Sequence, residues 1–266
     1  MLAIINVIVA VILIILAGIA LVIKMHKNAL EDHIKYEMFY FPNFPRSFKE
    51  ISLFFISDIH RREVSSSIVE EAKGIAKFVI IGGDLLEKGV SFDTVRKNLR
   101  KLKEIGPLYF VWGNNDYEAD VDELKELFRS EDVTVLDNRS VSFTSNKGEK
   151  WHLAGTEDRS LELDDLDSAL QDIKKAEFKI LISHNPKVME DLNDDHKVTL
   201  VLSGHTHGGQ IRIFGFGPYE IGATKVIGNT TILVSNGYGT TSIPLRLGAK
   251  PETHIIKIQH TKDKRI

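Results

Sequence analysis

Residues 51–60, Ile-Ser-Leu-Phe-Phe-Ile-Ser-Asp-Ile-His, are an apolar run that gives way to Asp58 and His60. A short, β-branched-rich run of this kind reads as a buried strand, so the two polar residues sit where strand becomes loop. The arrangement recurs along the chain. Residues 78–81 lead to Gly83-Asp84, 108–112 to Gly113-Asn114-Asn115-Asp116, 180–182 to Ser183-His184, and 200–202 to Gly204-His205-Thr206-His207. Loops at the carboxyl ends of strands are where α/β sheets place their chemistry, so these blocks are expected to converge on one site. In two of them ligand-type residues are spaced i, i+2, and in extended backbone Asp58 with His60, or His205 with His207, would project from one face and grip one ion. Asp58, His60, Asp84, Asn114, His184, His205 and His207 together supply carboxylates, imidazoles and an amide oxygen without a thiolate. Such a donor set suits Mn, Fe or Zn and suffices for two divalent ions.

The order of the blocks resembles the calcineurin-like metallophosphoesterase superfamily, whose pattern reads Asp-x-His, Gly-Asp, Gly-Asn-His-Asp/Glu, His, Gly-His-x-His. The resemblance runs from about Tyr36 to near Ile258. It is closest to bacterial membrane-associated or exported phosphoesterases in which Gly-His-Thr-His is followed by Gly-Gly-Gln, here Gly204 to Gln210. The segments 236–240, Asn-Gly-Tyr-Gly-Thr, and 244–248, Pro-Leu-Arg-Leu-Gly, fit the same group. The resemblance implies a four-layer αββα sandwich with one metal on Asp58, His60, Asp84 and His207. It places a second metal on Asp84, Asn114, His184 and His205, with Asp84 bridging. Two cations sharing a carboxylate acidify a water for in-line attack and neutralise the phosphoryl oxygens as charge builds, so phosphoester hydrolysis is the implied reaction.

One position departs from the family pattern. Where the family has a His credited with helping the leaving oxygen depart, this chain has Asn115. An amide donates a hydrogen bond but delivers no proton, and general acid catalysis is worth about 10² to 10⁴ in rate. Nearby residues have two readings each. Asp116 either tunes a ligand or caps the following turn. Arg61 and Arg62 either reach a substrate phosphate or form a solvated basic pair. Asp158 reads as loop structure. The remaining histidines, His26, His33, His152, His196, His254 and His260, read as core or surface residues.

Residues 2–23 contain no charge and only Asn6 as a clearly polar side chain. At about 1.5 Å per residue they span the ~30 Å hydrocarbon core, so one transmembrane helix is expected there. A cleaved signal peptide fits less well, because no basic residue precedes the run and no Ala-x-Ala-like site follows it. Lys24 and Lys27 follow the helix, which by the positive-inside rule puts the catalytic domain in the cytoplasm, with the outer face as the alternative. Residues 24–35 read as a linker and 36–266 as one domain, with 36–41 an edge strand ended by Pro42 and Pro45. With 34 basic against 37 acidic residues, no basic surface announces nucleic acid as a partner. The absence of cysteine is compatible with either redox setting.

Helical spacing is expected over 67–77, 92–105, 121–129 and 161–175. Strands are expected over 198–202, 210–214, 231–235 and 253–259. Such a mixture argues for an α/β (α+β) architecture of two packed sheets with helices outside. The functional expectation is a membrane-anchored, metal-dependent phosphoester hydrolase, a phosphodiesterase acting on a small-molecule or lipid phosphoester. The alternative is a catalytically weak, metal-bound domain serving as a membrane-localised binding or scaffold protein.

Overall fold

Successive strand residues point to opposite faces, and in this chain both faces of the central strands are apolar, so each sheet must be covered on both sides. The computed structural model, which describes residues 1–261, satisfies this with two six-stranded sheets packed face to face. The expected domain residues 262–266 lie outside the described residues. In chain order the elements are α1 (Leu2–Ala29), β1 (Ile34–Phe41), β2 (Glu50–Ile56), α2 (Ser66–Ala72), β3 (Val79–Ile81), α3 (Phe92–Lys103), β4 (Leu108–Phe110), α4 (Val121–Ser130), β5 (Val133–Val135), β6 (Arg139–Thr144), β7 (Lys150–Gly155), α5 (Leu166–Leu170), β8 (Phe178–Ile182), β9 (Leu200–Ser203), β10 (Thr224–Ile227), β11 (Thr230–Val234) and β12 (Thr253–His260). The first sheet runs β1-β12-β2-β3-β4-β5 and the second β10-β11-β9-β8-β7-β6.

Alternation sorts the core into layers. Phe54, Ile56, Val79, Ile81 and Phe110 face α2, α3 and α4 on the outside of the first sheet. Leu53, Phe55 and Ile80 face inward against Leu153, Ile180 and Leu202 of the second sheet. Leu181, Val201 and Ile232 then pack outward under α5 and the turn carrying Val188. The result is the expected αββα sandwich. Strands β2, β3 and β4 pair in parallel, as do β7, β8 and β9, so their carboxyl ends lie together along one edge.

Departures from the sequence reading have local causes. α2 stops at Ala72 because Lys73 is already extended and Gly74 takes a positive φ of 80°. The helix expected over 161–175 shrinks to α5. Asp158 caps a 3₁₀ turn ending at Leu161, Glu162 sits in left-handed backbone, and Asp165 restarts the chain by accepting from Ser168 N at 2.9 Å. The strand expected over 210–214 is a loop joined only by isolated bridges, Ile211 to Leu247 and Ile213 to Phe216. α1 runs beyond residue 23 to Ala29, because Met25 and Ala29 are buried against the domain. Its apolar stretch, of mean hydropathy 3.2, is long enough to cross a membrane and is not buried by the described residues.

Phe178 is buried between the sheets and meets Phe44 edge to face at 5.2 Å. Phe178→Ala is expected to cost about 3–5 kcal/mol, read as a lowered guanidinium midpoint at unchanged slope. A loss below about 1 kcal/mol would contradict close inter-sheet packing there.

Candidate metal centre

Every residue of the expected ligand set lies at the shared sheet edge, Asn114 and His207 opening 3₁₀ turns and the others on loops. Asp58 and His60 follow β2, Asp84 follows β3, Asn114 follows β4, His184 follows β8, and His205 and His207 follow β9. The cause of their convergence differs from the i, i+2 alternation of extended backbone. Asp58, His60, Asp84, His205 and His207 all take left-handed backbone, with φ between 49° and 69°. That conformation costs a side-chain-bearing residue about 1–2 kcal/mol, and such strain collects where function fixes the side chains. Each tight turn brings its ligand back over the strand end.

The backbone around them is correspondingly close. A methyl group on Gly113 would fall on the Asp84 carboxylate, and one on Gly204 on the Asp58 carboxylate. These glycines are set by close approach, which leaves the carboxylates room.

The donor atoms face one another. His60 Nε2 and His207 Nε2 are 3.1 Å apart, and His207 Nε2 is 3.3 Å from Asp58 Oδ1. His184 Nε2 lies 3.2 Å from Asp84 Oδ2 and 3.2 Å from His205 Nδ1. Asp84 Oδ2 is also 3.7 Å from His60 Nε2, so this oxygen stands between the two histidine groups. Ligand atoms about 2.1 Å from a common cation stand about 3.0–3.4 Å from each other, close to the spacing found. By proximity alone the groups are Asp58, His60 and His207, and Asp58, Asp84 and His184. Asn114 Oδ1 is buried with no hydrogen-bond partner among the described residues, as an oxygen reserved for a cation would be. The residues present therefore fit a divalent metal centre.

Electrostatics point the same way. Burial opposes the charged form of His184, yet the Asp84 and Asp58 carboxylates and the Gly82 carbonyl hold its pKa up at about 10. Burial likewise opposes ionisation of Asp84, but His184 and His60 outweigh it and lower its pKa. The field is that of concentrated negative charge, which a cation would neutralise. His207 is pushed well below the usual histidine range by burial and by His60 and Arg246, keeping the neutral imidazole that metal ligation needs.

Surrounding groups orient the ligands. His184 Nδ1 donates to Gly82 O at 2.8 Å, turning Nε2 into the site. Glu87 Oε2 lies 3.2 Å from His60 Nδ1 and is a residue the sequence reading passed over. Its place three residues after Asp84 was the available signal. Asp116 Oδ2 accepts from Asp84 N at 2.9 Å and Gly113 N at 2.8 Å, and Oδ1 from Leu86 N at 3.2 Å. It thus both caps the turn and fixes the backbone of Asp84. Asp158 is buried and caps the 3₁₀ turn at Leu161 N at 3.1 Å, and its Oδ2 has no hydrogen-bond partner among the described residues.

Neither basic residue of the 61–62 pair reaches the pocket. Arg61 turns to Glu87 and Lys88 O. Arg62 is not solvated: it stacks 3.8 Å over the Tyr238 ring and donates to Tyr238 O and Asp32.

Arg246, within the 244–248 segment, has a role that the sequence did not reveal. It is fully buried and donates to the carbonyls of His207, Asn236, Gly237, Gly239 and Ala249, with its guanidinium 3.2 Å from His207 Nδ1. Burial lowers its pKa to about 10, and it stays cationic. One side chain thereby clamps the loops that carry His207 against those beside Asp58.

The centre opens into a pocket of ≈ 380 Å³ whose lining includes Asp84, Asn115, His205, His207, Tyr219 and Ile243. Asn115 N donates to Asp84 Oδ1 at 2.9 Å, and its side-chain amide to Glu118 Oε1 at 3.0 Å.

A family model described as calcineurin-like phosphoesterase matches residues 51–209. The uncharacterized protein YpbG of Bacillus subtilis is 43% identical over 244 residues, 91% of this chain and 93% of that protein. A Danio rerio transmembrane protein with metallophosphoesterase domain is 31% identical over 238 residues, 80% of this chain and 54% of that protein. Among solved structures, the NAD nucleotidase of Haemophilus influenzae is similar in fold, with a TM-score of 0.51 at 16% identity, covering 71% of this chain and 50% of that one. The chain thus spans about half the length of the last two.

Arg246→Met removes the clamp and the donors it gives to five carbonyls. Mn²⁺ affinity measured by titration calorimetry is expected to fall about ten- to a hundredfold, the usual consequence of losing an outer partner of a metal ligand. Unchanged affinity in a folded variant would contradict the positioning role.

Proposed function

This chain belongs to the calcineurin-like phosphoesterase family, and we propose that it is a membrane-anchored phosphodiesterase working with two divalent cations. The observation supporting this reading is Asp84 Oδ2 standing 3.2 Å from His184 Nε2 and 3.7 Å from His60 Nε2, as a bridging carboxylate would. Asp58, His60 and His207 would hold one cation with Asp84, and Asn114, His184 and His205 the other. Mn, Fe and Zn all suit these donors. Bound there, the cations would supply Lewis acidity toward the phosphoryl oxygens and a nucleophile from water near neutral pH.

The chain's own groups do the positioning. Asp116 holds the Asp84 backbone, Glu87 faces the His60 ring, and Gly82 O fixes the His184 tautomer. Asn115, at the pocket wall with one amide hydrogen on Glu118 Oε1, would have its other N–H for a leaving oxygen but no proton to deliver. That property favours esters whose leaving group is already acidic. It also motivates the rival reading, a weakly catalytic domain that recruits partners at the membrane. The full donor set argues against the rival, because recruitment alone does not need it.

Anchoring is supported by the 28-residue α1, about 42 Å long and unburied over its apolar stretch. Lys24 and Lys27, in α1 just after its apolar stretch, favour a cytoplasmic domain.

Hydrolysis of bis(p-nitrophenyl) phosphate with Mn²⁺ is expected from the detergent-solubilised chain and to drop at least about a thousandfold in Asp84→Asn, since the shared ligand is lost. Equal rates in the two proteins would remove the enzyme reading. Asn115→His is expected to raise turnover of an alkyl phosphodiester about tenfold or more, by restoring a proton donor. Unchanged or reduced rates on that ester would count against the assigned role of this position.

A further inference from the structure

The last turn of α1 is fastened to the domain. Met25 O accepts from Arg246 N at 3.0 Å, Asn28 Nδ2 donates to Arg246 O at 3.3 Å, and His26 Nδ1 lies 3.1 Å from Pro244 O. The residues just before this anchorage, Thr241, Ser242 and Ile243, form one wall of the metal pocket. Ile23, at the end of the apolar stretch, is two residues from docked Met25, or about 3 Å along the helix axis. The helix therefore leaves the domain beside the rim of the site, with no free linker between them.

The loop after His207 is tied to the same rim. Gln210 Nε2 donates to Thr241 O and to Ile243 O at 3.1 Å each, and Arg212 N to Leu247 O at 2.7 Å. From here a tight turn projects, closed by paired 2.9 Å hydrogen bonds between Ile213 and Phe216. The Arg212 guanidinium fills its inside, donating to Gly208 O at 3.1 Å, to Gly215 O at 2.6 Å and to Tyr219 O. The turn is thus held out from the body, and its side chains are displayed: Ile213 is 61%, Phe214 96% and Phe216 81% exposed. Phe214 also sits at φ 51°, a conformation that a bulky aromatic adopts only at a cost. Neither burial nor backbone preference accounts for a phenylalanine there. Aromatic residues at a protein tip beside an apolar helix fit the boundary between lipid headgroups and acyl chains.

We propose that the Ile213–Phe216 turn seats in the bilayer surface, so that the metal pocket opens onto the membrane and receives a phosphoester carried by a lipid. The inference rests on reading the centre as a phosphoester hydrolase and α1 as an anchor. An adjoining apolar groove of ≈ 280 Å³, which includes Met189, Ile221, Ile232 and Val234, shares Thr206 and Tyr219 with the metal pocket. A phosphate held at the centre would have this groove beside it for hydrocarbon.

The chain contains no cysteine, so Phe214→Cys in the full chain takes a single environment-sensitive fluorophore. In phosphatidylcholine–phosphatidylglycerol proteoliposomes containing nitroxide lipid, this label is expected to be quenched at least about twofold. A label at Lys147→Cys, on the β6–β7 turn at the opposite end of the second sheet, should be unaffected. In the same vesicles, phosphatidic acid is expected to compete with bis(p-nitrophenyl) phosphate hydrolysis about tenfold less well in Phe214→Asp/Phe216→Asp than in the unmodified chain. Free glycerol phosphate should compete equally in both. An unquenched label at 214, or phosphatidic acid competing equally in both proteins, overturns the proposal while leaving the hydrolase reading intact. The hydrolase reading itself fails separately, if Asp84→Asn turns over the soluble ester at the unmodified rate.

Discussion

Two carboxylates, Asp58 and Asp84, are buried among four imidazoles at one sheet edge, and the charge they concentrate is the constraint around which the rest of the structure is arranged. Buried carboxylates are tolerated when paired or bound to a metal, because leaving their charge uncompensated costs several kcal/mol per ion. The raised His184 pKa and the lowered Asp84 pKa express that demand. A divalent metal centre would answer it.

Much of the local architecture follows. Parallel strands bring five loops to the same edge, but strand direction alone leaves the ligands pointing along the chain rather than inward. Left-handed backbone at Asp58, His60, Asp84, His205 and His207 turns them in, and Gly113 and Gly204 let neighbouring backbone pass against the carboxylates. The strain of those turns is held by groups that touch no substrate: Asp116 on the Asp84 amide, and Arg246 across the His207 and Gly237–Gly239 loops. Arg246 also receives the last turn of α1 through its backbone, so the helix, the pocket rim and the loop bearing Phe214 form one continuous structure.

The site was legible because its residue types are rare at strand ends and recur in a fixed order. His60, His184, His205 and His207 could be separated from His152 and His254 by that context, although all six are histidines in or near the core. The sandwich was legible through apolar runs of strand length, and its parallel centre through intervening helical spacing. What stayed hidden depended on long-range partners. Arg62 reads as half of a solvated basic pair until Tyr238 and Asp32 close over it. Glu87 and Arg246 acquire meaning only when His60 and His207 are placed beside them. The loop at 210–214 has a strand's composition, but its backbone finds partners in a tight turn, Ile213 with Phe216, and at Leu247 O, while the Arg212 guanidinium donates to Gly208 O and Gly215 O on either side of it.

Electron paramagnetic resonance of the chain loaded with Mn²⁺ reads directly whether two cations share Asp84. Two ions on one carboxylate bridge are expected to give a spin-coupled multiline spectrum at a stoichiometry of two per chain, collapsing to an uncoupled six-line signal in a variant lacking the Asp84 carboxylate. An uncoupled six-line signal in the unmodified chain at saturating Mn²⁺ would contradict it.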